Sequence, residues 1–141
     1  MCIPFTIDIC SIPSTRMSTG DTMEVSSSNY PLNYPNNVDC LSVFGFVGDD
    51  SESVAFVIYV VELNLEDGMD YLYIGNGTEV TDTNTIGQLT KSNSTIVVPG
   101  ATMWLWFISD DSVVEQGFLV TVEITSNNKG NGNEVNISII G

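Results

Sequence analysis

The chain has no histidine and only three lysine or arginine residues in 141 positions. Without imidazole there is no neutral-pH proton shuttle and no His-ligated metal. Paired carboxylates remain as an acid–base option, but the adjacent Asp110 and Asp111 would point to opposite faces of a strand. The chain is therefore read as no enzyme. Three basic residues cannot displace the counterions of a phosphate backbone or hold an anionic membrane surface. Nucleic acid and such membranes are excluded as partners. No apolar run approaches the roughly 18 residues of a spanning helix, so membrane insertion is not expected. Met1–Ile9 is partly apolar, but Asp8 interrupts it and a basic start is missing, so it is not read as a signal peptide. Cysteine is scarce too: Cys2, Cys10 and Cys40 allow one pair and one residue over. Long stretches with apolar residues three and four apart are absent, which argues against helix.

Acid is abundant. Eighteen Asp or Glu residues give a formal net charge of −15. Solubility accounts for most of them, and a hard cation that prefers oxygen ligands is compatible with the rest. At this length, with 43% hydrophobic residues, one core in one domain is expected. Short β-branched and aromatic runs separated by Gly, Asn, Asp, Ser and Pro predict an all-β fold, a sandwich or jelly roll. The predicted strands are Val54–Leu65, Tyr71–Ile74, Ser94–Val98, Met103–Ile108 and Phe118–Ile124. In the last of these, Phe118, Val120, Val122 and Ile124 share one face. Thr78–Leu89 is polar and reads as a loop with Ile86 and Leu89 tucked in. The body is assigned to residues 1–125, and 126–133 is a Gly/Asn-rich flexible tether. Residues 134–141 follow as a detached strand in which Val135, Ile137 and Ile139 alternate. Sequons at Asn76, Asn93 and Asn136 are candidate glycosylation sites, and with a disulfide they favour a secreted, extracellular protein.

Three segments carry a family resemblance. The first is Ser27–Cys40, with its Tyr30-Pro31 and Tyr34-Pro35 steps. The second is Asp70-Tyr71-Leu72-Tyr73-Ile74 before a glycine turn. The third is Phe107-Ile108-Ser109-Asp110 followed by Gly117-Phe118. In order and spacing they resemble the CUB domain, an extracellular antiparallel jelly-roll β-sandwich, over roughly Cys10–Ile124. The resemblance implies a Cys10–Cys40 disulfide. A second disulfide usual in the family has no counterpart, because Gly68 and Met69 stand where one cysteine belongs and Thr90 where its partner would fall.

The resemblance also implies a calcium site at one end of the sandwich. Asp70 and Asp110 match its two aspartates. For the glutamate, Glu62 has the sequence separation and Asn64 the strand context. Asp111 and the Ser112 carbonyl follow in the turn. If Phe107 faces the core, as the family pattern implies, then Trp104, Trp106 and Ile108 face outward, as do Tyr71 and Tyr73 on the neighbouring strand. Such rings form a contact surface or lie under a loop, a glycan or a terminal segment. The expected function is recognition of an extracellular protein or glycan, with calcium as the possible cofactor. The alternative is a structural subunit of an extracellular filament, self-associating through the aromatic face and addition of the C-terminal strand.

Overall fold

The chain's structure is a computed structural model that describes residues 6–49 and 53–126. Two β-branched and aromatic runs dominate it. β5 (Val54–Asn64) and β10 (Gly117–Ser126) pair antiparallel along nearly their whole length and form the centre of one sheet. Every second residue of β10 from Phe118 to Ile124 is buried, as strict alternation requires of a strand with one face on a core.

The remaining strands are β1 (Thr6–Asp8), β2 (Ser14–Met17), β3 (Thr22–Ser26), β4 (Asp39–Phe46), β6 (Tyr71–Asn76), β7 (Thr85–Gln88), β8 (Ser94–Pro99) and β9 (Thr102–Ile108). They complete two five-stranded sheets, in the orders β1-β3-β10-β5-β8 and β2-β4-β9-β6-β7. The sheets stack as a sandwich. Phe44, Phe56, Leu72, Leu105, Phe107 and Phe118 are among the side chains that fill the space between them. The five strands predicted from sequence are all present. The disulfide joins Cys10 to Cys40 and ties the turn after β1 to the start of β4. It closes a loop, 30 residues in sequence separation, that contains β2 and β3, a constraint of roughly 3–4 kcal/mol in the chain-entropy account.

Two expectations change. Thr85–Gln88, inside the segment read as loop, is β7, an edge strand on β6. Its polar composition hides it from a hydrophobicity pattern, yet polar residues suit a strand with one open edge. Leu89 is buried and Ile86 half-buried, as expected. β10 extends to Ser126, one residue into the expected tether. The other tether residues and the detached strand, with Val135, Asn136, Ile137 and Ile139, lie outside the described residues. No described helix is long and apolar enough to cross a membrane.

Candidate metal centre and aromatic face

The β5–β6 connection makes a tight turn at Glu66-Asp67-Gly68-Met69-Asp70. The Met69 and Asp70 N–H groups both donate to the Glu66 carbonyl, at 3.2 and 3.1 Å, and Gly68 takes the positive φ of 76°. The turn folds Glu66 back over Asp70. The β9–β10 connection brings Asp110 to the same place. Oxygens from the three carboxylates of Glu66, Asp70 and Asp110 lie within 4.8 Å of one another.

Tyr34 anchors the group. It is buried between the sheets with its ring edge-on to Phe107 at 5.1 Å. Its hydroxyl donates to Asp70 Oδ2 at 2.6 Å and accepts the Glu66 N–H at 3.0 Å. Asp70 Oδ1 accepts the Asp110 N–H at 2.9 Å, which links the two loops directly. The Tyr34 N–H donates to the Glu115 carbonyl, and the Asn37 N–H to that of Asp110. Gly117 permits this closeness: its φ is +101°, and a Cβ there would overlap the Ser27 hydroxyl and come within 3.3 Å of the Tyr34 ring.

One atom is left over. Glu66 Oε1 is buried without a hydrogen-bond partner. Burial, first, and then the charges of Asp110 and Asp70 hold the Glu66 carboxyl above the ordinary glutamate range, with the closeness of the Asp110 carboxyl and the charge of Glu115 adding to the effect. Three hard oxygen donors, one of them unsatisfied, are the kind a calcium-sized cation takes and would supply part of its six to eight ligands. These residues fit such an ion.

Of the residues expected at the site, Asp70 and Asp110 come together in this cluster, and the two alternatives for the third position, Glu62 and Asn64, do not. Glu62 lies on β5 opposite Leu119 and accepts the Tyr30 hydroxyl. Burial and Glu62 raise that phenol to about 12. Asn64 is exposed at the end of β5. Neither belongs to the trio. Counting back along a strand misses Glu66, because strand geometry ends at Asn64 and the chain then turns. The signal was the Gly68 turn, whose two ends are Glu66 and Asp70. Asp111 and Ser112 are exposed beside the site, and the Ser112 N–H donates to Asp110 Oδ1 at 3.2 Å. Gly68 and Thr90, where the family's second disulfide is missing, line one small cavity next to the turn.

The outer face of the second sheet carries the predicted aromatics. Registers set Leu41, Trp106 and Tyr73 in one row and Asp39, Ile108 and Tyr71 in the next. Tyr71 stacks on Tyr73 at 5.4 Å, and Tyr73 lies 5.6 Å from Trp106. The Trp106 Nε1–H donates to Asp39 Oδ1 at 2.7 Å. Trp104 follows the covered alternative. It sits on this outward face but is fully buried. Its Nε1–H donates to the Asn76 carbonyl, and a Cβ at Gly75 would overlap its ring. The absent side chain at Gly75 makes room for the indole, and the loop from Gly77 to Asn84 contributes to its cover. Of the sequons, Asn76 and Asn93 are exposed.

The CUB domain family model matches residues 11–122. Mouse Tolloid-like protein 1 is 31% identical over 99 residues, 69% of this chain and 10% of that protein. The Drosophila melanogaster Cubilin homolog is 30% identical over 114 residues, 77% of this chain and 3% of its own length. The chain thus spans a small fraction of these relatives. Among solved structures, the CUB1-EGF-CUB2 domains of rat MASP-1 superpose with a TM-score of 0.65 at 16% identity, covering 84% of this chain and 45% of that one. The MASP-1 CUB2 domain bound to Ca2+ gives 0.56 at 18% identity, covering 75% and 96%. The chain belongs to the CUB domain family, a family of extracellular protein-interaction modules.

Proposed function

We propose that the chain is a secreted recognition module that binds a protein through the loops at its acidic end, and that calcium orders those loops. The observation that carries this reading is the convergence of Glu66, Asp70 and Asp110 from two connections, with Glu66 Oε1 buried and unpartnered. Glu66, Asp70 and Asp110 hold the ion by carboxylate oxygens, and water or the adjacent turn at Asp111 and Ser112 completes the shell. An ion there supplies the positive charge that three clustered carboxylates lack.

The same loops display what a partner would touch. Met69 on the first and Val113 on the second are large apolar residues more than half exposed. Val113 holds φ at +55°, a conformation that β-branched residues rarely adopt and that concentrates at functional loops. Rigid strands presenting mobile loops is the common plan of binding domains. The disulfide and the exposed sequons at Asn76 and Asn93 support secretion.

Calorimetric titration with calcium, alongside melting in calcium and in chelator, tests the reading. The chain binds one calcium and melts higher with it, by a stabilisation of about 2.7 kcal/mol at a hundredfold excess over Kd. Glu66→Gln and Asp110→Asn each weaken both effects, while Glu62→Gln weakens neither. No heat and no shift would remove calcium from the account.

A further inference from the structure

The aromatic face is a second surface, separate from the carboxylate trio. It borders an open groove of about 500 Å3, lined by Tyr73, Trp106 and Ile108 on the sheet and by Val80, Thr81 and Asp82 on the Gly77–Asn84 loop. The wall is firmly built. The Thr81 carbonyl accepts the N–H groups of Asn84 and Thr85, at 3.1 and 2.9 Å, and the Thr85 hydroxyl at 2.6 Å. The Asn84 carbonyl in turn accepts the Asn76 N–H at 2.9 Å. The groove therefore exists before any ligand arrives, which lowers the ordering cost of binding.

Its chemistry is one-sided. The sheet side carries the adjacent rings of Tyr73 and Trp106, 5.6 Å apart, and the nearby charges are carboxylates: Asp82 on the wall and Asp39 holding the Trp106 Nε1–H. Arg16 and Lys91 are the basic residues among those described, and neither lines the groove. A flat cation is drawn to aromatic faces and pairs with carboxylates. The net charge of −15 raises its local concentration, whereas a neutral sugar gains nothing from that field. Arginine is the side chain that stacks and pairs at once.

We propose that this groove binds an arginine-bearing extended segment of a partner protein, with the guanidinium stacked on Tyr73 and Trp106 and paired with Asp82. The inference names a contact beyond the acidic end and does not depend on calcium.

The test is fluorescence titration of the full chain, in chelator, with the capped peptide Gly-Arg-Gly-Arg-Gly and its citrulline twin. Trp106 is partly exposed and Trp104 buried, and both line the groove, so the signal reports on it. The arginine peptide is expected to bind at least tenfold tighter than the neutral one, and more weakly as salt rises. Trp106→Ala, followed by calorimetry because the reporter is gone, and Tyr73→Ala each cost roughly threefold to thirtyfold, in line with a cation–π contact. Asp82→Asn, an exposed change that leaves the fold intact, weakens binding and flattens its salt dependence. Tyr59→Ala on the opposite sheet changes nothing. Equal binding of the citrulline peptide would overturn the proposal. So would arginine binding that survives both ring deletions, or a neutral oligosaccharide whose binding is lost on Trp106→Ala. Because chelator is present throughout, failure here leaves the calcium reading standing, and failure of calcium binding leaves this proposal standing.

Discussion

Tyr34 and Trp104 are two of the largest fully buried side chains in the molecule, and each ties down its polar tip. They do so in opposite settings. Tyr34 lies between the sheets, with its hydroxyl serving Asp70 and the Glu66 N–H at once. Trp104 lies outside the sandwich core, on the outer face of a sheet, beneath a loop and against a glycine. Alternation along a strand states which face a side chain is on. It does not state what covers that face. One aromatic organises a charged site from within, and the other organises a wall beside a groove from without.

Replacing Trp104 by alanine breaks the second arrangement and carries the largest expected effect. It removes a buried indole and orphans the Asn76 carbonyl, at a cost of about 3–5 kcal/mol, a large share of a domain's usual 5–15 kcal/mol. The loop over it collapses or loosens, so the peptide signal at Trp106 falls along with chemical-denaturation stability. Stability within about 0.5 kcal/mol of the parent would mean that Trp104 is lightly held and that the wall owes its shape to other contacts.

Tyr34→Phe breaks the first arrangement while leaving the ring in place. Asp70 Oδ2 loses its donor and the Glu66 N–H its acceptor, both at a largely buried site. The expected loss is about 1–3 kcal/mol, with a weaker calcium response because the acids are no longer held together. A melting shift with unchanged calcium affinity would show that Tyr34 supports the fold alone.

The sequence was most legible where burial is continuous. β5, β8, β9 and β10 are runs of β-branched and aromatic residues, and their inward sets follow from period two. The Cys10–Cys40 bridge followed from the family resemblance, since three cysteines by themselves leave the pairing open. Asp70 and Asp110 were readable because each sits at a fixed step from a strand the family shares. Glu66 was not, because its position depends on hydrogen bonds within a five-residue turn, and strand periodicity says nothing once the strand has ended. β7 stayed hidden for a related reason: a short polar edge strand is specified by the open edge of β6 more than by its own residues. The burial of Trp104 was invisible since the deciding residue, Gly75, lies on another strand and contributes only the absence of a side chain.

The finest test of the contrast between the two aromatics is pH, because the acidic end holds a carboxyl displaced above its ordinary range. Glu66 is raised above the ordinary value of 4.5, first by burial and then by Asp110 and Asp70. A carboxyl raised on folding binds its proton more tightly in the native state. The stability this supplies is fully present below the unfolded value and is lost as pH rises through the folded one. Calcium has the opposite sign, since it holds the charged carboxylate and weakens as protons compete. In chelator, then, stability should sag as pH climbs from about 4.5 through the raised value. In calcium the sag should be filled in, so the melting gap between the two buffers widens with pH. Glu66→Gln cannot titrate, and it should flatten the chelator curve and narrow the gap, whereas Trp106→Ala should leave the shape of both curves alone. A gap of constant width from pH 4 to 8 in the parent chain would place calcium away from Glu66, and with it the third ligand.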